Sequence, residues 1–304
     1  MTNKCVEATW LAVFEQQRGR LLGLAYRMLG SAGDAEDVMQ DAFLRWQRAA
    51  TDDIATPRAF LTTVVTRLCI DRLRRLQRER MDYSGPWLPE PYVETFVETA
   101  STDSPESVLE RDETLSLAML RMFERLAPHE RAVFVLREAL DLEYADIAAA
   151  IDAPVATCRQ WYRRARTHLA GERRFDLAPG AQSELLMKLQ MALHAGDVAA
   201  LIALLHPDIQ MRGDGGGKVK AFVSVVTGAE RVATVMLHLW RKAGPQSQHT
   251  RLVAVNGGFG IASFSGTALD AITCIEVADG RLLYFDSVRN PDKLRSIAML
   301  LPAA

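Results

Sequence analysis

The stretch YADIAAAIDAPVATCRQWYRRARTHL, residues 144–169, decides the fold of the middle of this chain. Tyr144 to Ile151 have the apolar spacing of a short helix, and Pro154 stands where a second helix begins. Proline is favourable in a first helical turn, because the N–H that it lacks would be unpaired there. Together with an upstream helix that Pro128 opens, the pattern predicts a helix-turn-helix.

The second helix of this motif separates its apolar and polar residues. Apolar positions such as Val155 and Cys158 can face inward, whereas the basic and amide side chains lie largely outside: Arg159, Gln160, Arg163, Arg164 and Arg166. Such a helix can enter the major groove of DNA, where arginine pairs with guanine edges and glutamine with adenine. We therefore predict that these side chains anchor on phosphates and contact bases of duplex DNA.

Arginines cluster in two stretches, 66–80 and 155–174, with six arginines in each. The net charge of the whole chain is −2, so the distribution of charge, and not its total, points to nucleic acid. A single basic run is often no more than a solvated helix face. Two runs, each on a predicted helix, favour DNA binding, and an acidic stretch from 81 to 113 lies between them.

Changes in composition along the chain predict four parts. Residues 1–80 have helical spacing throughout, and Thr56-Pro57 opens a long basic helix. Residues 81–112 contain four prolines among acidic and hydroxyl residues, which predicts a linker. Residues 113–176 hold the helix-turn-helix. Residues 180–304 are α+β, with helices, alternating apolar segments and hairpin turns at Asn256-Gly257 and Asp279-Gly280.

Composition excludes several classes of protein. Hydrophobic residues make up 49% and charged residues 24% of the 304 positions, which is ordinary for globular domains and not for a disordered chain. The sequence shows no membrane-spanning window and no leader-like N-terminus, so we expect a cytoplasmic protein. The four cysteines form no C-x-x-C pair, so we expect neither a zinc site nor a disulfide framework.

No catalytic residue, metal site or cofactor is predicted. The segment DGGGK, 214–218, lacks the first glycine and the final Ser or Thr of a phosphate-binding loop. The C-terminal histidines have no metal-ligand spacing, and we expect structural or solvated roles for them and for the acidic residues of the strands, Asp270, Glu276 and Asp286.

Three ordered motifs resemble bacterial extracytoplasmic-function sigma factors. DAEDVMQDAFLRW, 34–46, resembles the family's polymerase-binding helix, and TPRAFLTTVVTRLCIDRLRR, 56–75, resembles its helix for the −10 element. The helix-turn-helix at 144–169 resembles the one that reads the −35 element. The resemblance implies two all-α sigma domains. It also implies core RNA polymerase and promoter DNA as partners.

The resemblance also implies roles for particular residues. The −10 element would be bound by the loop around 52–57 and by five arginines, Arg58, Arg67, Arg72, Arg74 and Arg75. Polymerase would be bound by Asp34, Glu36, Asp37, Asp41 and Trp46. Asp71 is expected to hold an arginine within the helix's inner network. Arg67 stands where an asparagine is usual, and Gln160-Trp161 where Ser-Arg is common, so base preferences are not carried over.

The remainder resembles the sigma-factor subgroup with a fused SnoaL-like domain of the NTF2-like fold, an α+β cone. The matching motifs are WLPEP at 87–91, DGGGKVKA at 214–221 and NPDKL at 290–294. We expect these motifs to meet, with the C-terminal domain contacting the linker and the first helical domain. Such contact would regulate the sigma core in cis, without a separate anti-sigma factor. The predicted contact residues are Trp87, Leu88, Pro89, Asp214, Gly215, Gly216, Gly217, Lys218, Asn290, Pro291 and Lys293.

Two other functions remain open from the sequence. One is a SnoaL-like cyclase or isomerase with a DNA-binding appendage, which would leave the first 110 residues unexplained. The other is a ligand-sensing repressor, which would bind operator DNA without polymerase.

Overall fold

The computed structural model of the chain describes residues 2–49, 54–93, 116–170, 179–243 and 249–301. It divides into two compact units. One comprises residues 1–81, 98–113 and 120–171, and the other comprises residues 82–97, 114–119 and 172–304. Within the described ranges, no helix has the length and apolar composition needed to cross a membrane.

The first unit is built from helices. Its N-terminal part contains α1 (Thr2–Leu29), α2 (Ala32–Arg48) and α3 (Pro57–Glu79), followed by a short 3-10 turn at Arg80–Asp82. Ser31 caps α2 by accepting a hydrogen bond from the backbone N–H of Asp34 at 3.1 Å, and Pro57 occupies the first turn of α3. Leucine and other apolar side chains from all three helices form the core of this part.

The helix-turn-helix completes the first unit. After α4 (Leu117–Phe123), the chain forms α5 (Pro128–Leu140), α6 (Tyr144–Ile151) and α7 (Val155–Leu169). Asp141 and Asp152 end α5 and α6 in the left-handed conformation, with φ of 49° and 55°. The predicted boundaries of α6 are confirmed, and Pro154 is the N-cap of α7.

The second unit is α+β. It contains α8 (Pro179–Ala195), α9 (Val198–Leu204), β1 (Leu205–Asp214), β2 (Val226–Thr227), α10 (Ala229–Ala243), β3 (His249–Val255), β4 (Gly258–Ser265), β5 (Ala268–Ala278), β6 (Arg281–Val288) and α11 (Pro291–Leu300). The strand order is β2-β1-β6-β5-β4-β3. The β1–β6 pair is parallel and the other pairs are antiparallel. Both residues have positive φ at 256–257 and at 279–280, as expected for tight hairpins.

Both faces of the sheet are covered. Ile275 and Val277 of β5 belong to the core under α8, α9 and α10. Cys274 points to the opposite face, where the core includes α11 and three residues from earlier in the chain, Leu88, Val93 and Leu117. The described parts of the linker therefore belong structurally to the C-terminal unit.

Candidate functional site

The outward face of α7 is open. All five residues predicted to contact duplex DNA, 159, 160, 163, 164 and 166, are exposed, while Cys158 and Ala165 are buried. Val155 was expected to face inward and is 37% exposed, because it lies in the first turn of the helix, at the edge of the core. The arrangement presents a basic surface of the kind that binds DNA.

Two arginines of this face pack over aromatic rings of the helix-turn-helix. The Arg159 guanidinium lies over the Tyr144 ring, 5.6 Å from its centre, and the Arg166 guanidinium lies over the Tyr162 ring at 6.0 Å. The Tyr162 hydroxyl donates a hydrogen bond to the Glu138 carboxylate. Burial, and then this hydrogen bond, raise the pKa of Tyr162. These contacts connect α5, α6 and α7.

The arginines predicted for the −10 element lie in different environments. Arg58 and Arg75 are exposed on α3. Arg67 donates from Nε to the Ala150 carbonyl at 2.8 Å and from Nη2 to the Ala149 carbonyl at 3.3 Å, both at the end of α6. Within this unit, Arg67 is therefore bound to the helix-turn-helix. Residues 52 and 53 of the predicted DNA-capturing loop lie outside the described residues.

Arg74 lies at the same junction between α3 and the helix-turn-helix. It pairs with Asp71 at 3.3 Å and approaches His129 of α5 at 3.4 Å. Asp71 does hold an arginine, but its side chain is 57% exposed, so its expected place in an inner network is wrong. His129 stacks on Trp161 of α7 with ring centres 4.7 Å apart. Burial, and then the Arg74 charge, lower the pKa of His129.

Arg131 of α5 ties the two helical parts of this unit together. Its side chain is 2% exposed and donates to the Met28 carbonyl at 2.7 Å and the Phe123 carbonyl at 2.9 Å. It also pairs with Glu124 at 2.7 Å. Burial lowers the pKa of Arg131 to about 9. Nothing in the sequence distinguishes this buried arginine from an exposed one, so its role could not be predicted.

The residues predicted to bind polymerase are only partly available on α2. Asp34 forms an ion pair with Arg72 at 2.5 Å, and Glu36 forms one with Arg18 at 2.9 Å. Asp37 and Asp41 are exposed. Trp46 is 2% exposed and donates from Nε1 to the Trp10 carbonyl at 3.0 Å. A side chain so deeply packed offers no surface to a partner. The structure therefore places Trp46 in the core, which corrects its prediction as a polymerase contact.

In the second unit, the predicted linker contact is built around Asp214. This residue has no exposed surface and accepts hydrogen bonds from the Leu88 N–H at 2.9 Å, the Tyr83 hydroxyl at 2.5 Å and the Gly216 N–H at 3.0 Å. The Lys293 ammonium group lies 2.7 Å from the same carboxylate. A buried carboxylate at the end of β1 thus binds the linker through the Leu88 backbone and the Tyr83 hydroxyl, and its charge is paired with Lys293 of α11.

Lys293 and Asn290 contribute from the start of α11. The Lys293 ammonium group donates to the Leu88 carbonyl at 2.5 Å and lies 4.1 Å from the centre of the Trp87 ring. Asn290 donates to the Tyr83 hydroxyl at 3.0 Å and accepts from the Asp292 N–H at 3.1 Å, which caps α11. The lysine therefore contacts the linker backbone, the linker aromatic ring and the buried carboxylate together.

The glycine run explains why these groups can approach so closely. Gly216 has a φ of +62°, and a Cβ atom at this position would overlap the Asn290 side-chain amide. Gly215 is buried and a Cβ there would overlap the Val219 carbonyl. Gly217, Lys218 and Pro291 are exposed at the rim, where Lys218 pairs with Asp292 at 2.5 Å, and Pro89 is buried in the linker.

Several other linker contacts were not predicted from the sequence. Tyr83 precedes the WLPEP motif, and no feature of the sequence marked it as a partner of Asp214. Glu90 accepts a hydrogen bond from the Ser296 hydroxyl at 3.1 Å. Tyr92 and Asn256 exchange hydrogen bonds at 2.9 and 3.0 Å, next to a β-bridge between Val93 and Val255. The linker thus adds a short piece of backbone pairing to the edge of β3.

The acidic residues of the strands have structural partners. Glu276 accepts a hydrogen bond from the Ala118 N–H at 3.2 Å, and Asp286 pairs with Arg212 at 3.2 Å. Asp270 pairs with Arg289 at 2.9 Å. Burial, together with the Asp286 and Glu276 charges, raises the pKa of the Cys274 thiol. Among the described residues, no group of three or more His, Cys, Asp or Glu could hold a metal ion.

Comparisons with known proteins agree with this geometry. Residues 13–79 match the family model for Sigma-70 region 2, and residues 116–169 match that for Sigma-70 region 4. The chain is 36% identical over 291 residues to the ECF RNA polymerase sigma factor SigJ of Mycobacterium tuberculosis, covering 92% of this chain and 91% of SigJ. It is 33% identical over 295 residues to a probable ECF RNA polymerase sigma factor, SigI, of the same species, covering 95% and 94% of the two chains.

A solved structure resembles the whole chain. The crystal structure of the Mycobacterium tuberculosis extracytoplasmic function sigma factor SigJ aligns with a TM-score of 0.75 at 33% identity, covering 94% of this chain and 98% of SigJ. The expected fold class is confirmed: two all-α sigma domains precede an α+β domain of the NTF2-like type. The chain belongs to the family of extracytoplasmic-function RNA polymerase sigma factors.

Proposed function

We propose that this chain binds core RNA polymerase and directs it to promoters whose −35 element is read by α7 and whose −10 element is opened on α3. The open basic face of α7 carries the proposal, since its five predicted DNA contacts are all exposed on a helix-turn-helix. The exposed acidic residues of α2, Asp37 and Asp41, remain the proposed polymerase contacts. The chain itself supplies no catalytic group in this function.

Binding of the −10 element requires a change within the first unit. Arg67 has its guanidinium on the carbonyls that end α6, and Arg72 is paired with Asp34. Unstacking a base costs a few kcal/mol, which basic side chains offset only if they are free to reach the DNA. We infer that α3 and α6 separate, which frees Arg67, and that the Arg72–Asp34 pair between α3 and α2 opens when the holoenzyme opens a promoter.

Control in cis is proposed to act through the linker. The Asp214–Lys293 site binds residues 83–93, which lie between sigma region 2 and sigma region 4 in the chain. While the linker is bound there, its path is set by the C-terminal unit and not by polymerase. The part of the acidic linker at 94–115 lies outside the described residues, and its proposed path along polymerase remains a prediction. Control in cis makes a separate anti-sigma factor unnecessary in this proposal.

Run-off transcription with purified core RNA polymerase tests both parts of the proposal. The template carries the promoter upstream of the chain's own gene, and the proteins compared are the full-length chain and its Lys293→Met variant. Lys218→Met is the matched control, because Lys218 makes an exposed ion pair at the rim of the same site. Substitution is preferable to cutting the chain at 180, because the C-terminal unit also covers Leu88, Val93 and Leu117.

Promoter-specific transcripts that need both core polymerase and this chain would support the sigma function. Their absence with demonstrably active core, on several candidate promoters, would contradict it. A changed transcript yield for Lys293→Met but not for Lys218→Met would support control in cis. Equal yields for all three proteins would reject that control and leave the sigma function standing. A specific footprint without polymerase would favour the repressor.

A further inference from the structure

The arginines of α7 differ in how they are held. Arg159 lies over the Tyr144 ring at 5.6 Å, and its side chain has no hydrogen-bond acceptor within the part of the chain that the structure describes. Arg163 and Arg164 are exposed and make no ring contact among the described residues. One outward arginine near the start of the helix is therefore oriented, while two in its middle are not.

Tyr144 itself is fixed from two sides. It is the first residue of α6, and the Arg137 guanidinium of α5 lies over its ring at 5.4 Å. Arg137 is in turn held by the Leu142 carbonyl at 2.7 Å and by Glu143 at 3.1 Å. The Tyr162 ring meets the Tyr144 ring nearly edge-on, with centres 6.0 Å apart and planes at 77°. The ring under Arg159 is thus part of the packed framework of the helix-turn-helix.

An arginine over an aromatic ring keeps its recognition chemistry. The ring attracts the flat face of the guanidinium, whereas the donors that pair with guanine lie along its edge. Holding the side chain in advance also lowers the conformational entropy that a long side chain loses on binding. Residues near the start of a recognition helix are those that contact base edges.

We propose that Tyr144 is a positioning residue that orients Arg159 for a bidentate contact with a guanine of the −35 element, while Arg163 and Arg164 bind phosphates. The inference rests on the proposed sigma function and adds to it the class of base that is read. Tyr144 contacts no DNA in this proposal and acts only through Arg159.

The test measures how strongly the holoenzyme discriminates between a −35 element and variants in which each guanine is replaced in turn. Tyr144→Leu should lower discrimination at one guanine by roughly five- to tenfold. Tyr144→Phe keeps the ring and should stay within about twofold of the unmodified chain. In an Arg159→Ala background, Tyr144→Leu should have no further effect at that guanine. Arg163→Ala should weaken binding to all sequences. It should also lower by about one the number of ions released on binding, as read from the dependence of affinity on salt concentration.

Each contrary result identifies what has failed. If Tyr144→Leu lowers affinity equally for all sequences, or lowers discrimination equally with and without Arg159, Tyr144 has only a structural role and the inference is wrong. The inference is also wrong if Tyr144→Leu leaves the discrimination at every guanine unchanged while the unmodified holoenzyme does discriminate among −35 sequences. If the unmodified holoenzyme does not discriminate among −35 sequences, the proposed function itself fails and the inference fails with it.

Discussion

Replacing Asp214 by alanine should release the linker and destabilise the C-terminal unit. The carboxylate is fully buried and accepts the Leu88 N–H, the Tyr83 hydroxyl and the Gly216 N–H in addition to the Lys293 ammonium group. The Lys293 side chain is only 13% exposed. Asp214→Ala would therefore leave a largely buried ammonium group without its carboxylate.

The expected cost follows from that uncompensated charge. Removing one partner of a buried ion pair costs about 3–5 kcal/mol. In a unit of this size, each kcal/mol lowers the melting temperature by about 2–4 °C, so the C-terminal unit should melt roughly 6–20 °C lower. Lys293→Met removes the charge that needs Asp214. The double variant Asp214→Ala/Lys293→Met should consequently melt higher than Asp214→Ala alone.

Hydrogen exchange read by mass spectrometry locates the effect, and thermal unfolding measures it. Peptides that cover residues 83–93 should exchange faster in Asp214→Ala, because the Leu88 N–H loses its acceptor. Lys218→Met, at an exposed ion pair, should cost less than about 1 kcal/mol and leave these peptides unchanged. If Asp214→Ala melts within about 2 °C of the unmodified chain and exchanges at the same rate, the buried cluster does not hold the linker.

Two further predictions concern the first unit. Arg131→Met should destabilise it by roughly 2–4 kcal/mol in urea unfolding, since the Met28 carbonyl and other buried acceptors lose their donor. Arg20→Met should cost only about 0.5–1.5 kcal/mol, because Nη2 of Arg20 donates to the Thr62 hydroxyl at 2.6 Å while its buried Nε and Nη1 have no hydrogen-bond partner among the described residues. Equal costs for the Arg131 and Arg20 variants would contradict this prediction. The lowered pKa of His129 means that the unfolded chain binds its proton more readily, so stability should fall as the pH drops below roughly 6.5. His129→Gln should lose less stability than the unmodified chain between pH 7.5 and pH 5.5, and an identical loss would show that this histidine is not responsible.

The elements could be predicted from the sequence because their signals are local. The spacing of apolar residues, Pro154 and the Asn256-Gly257 turn each act within a few residues, and each appears in the structure where it was expected. The outward face of α7 could be predicted for the same reason, since helical periodicity separates Arg159 from Cys158. Asp214 and Lys293 were identified by a resemblance of motifs, and the structure adds the atoms that join them.

The contacts that could not be predicted involve partners that are distant in the sequence. Arg67 and Arg72 have the same local pattern as Arg75, yet the first two are engaged by α6 and by Asp34 and the third is exposed. Trp46 lies in a motif of surface acids, but packing against Trp10 and Phe60 buries it. Periodicity assigns a residue to a face of its helix. It does not show which other helix covers that face.

The apolar contacts of the linker set an energetic threshold for its release. Leu88, Val93 and Leu117 are 0%, 4% and 1% exposed against one face of the sheet. Of these three, Leu88 and Val93 lie in the linker. Full burial of one such side chain contributes about 1.5–3 kcal/mol, so freeing both would cost roughly 3–6 kcal/mol before the Asp214 site is counted. Val93 precedes residues 94–115 and Leu117 follows them, so both ends of that segment are bound to the same sheet. A holoenzyme that binds only residues 94–115 would leave these contacts intact. A holoenzyme that binds residues 83–93 would have to replace the contacts of Leu88 and Val93 with polymerase contacts of similar strength. If control in cis acts as proposed, the sheet and polymerase compete for the same linker residues, and the buried Asp214–Lys293 pair favours the sheet.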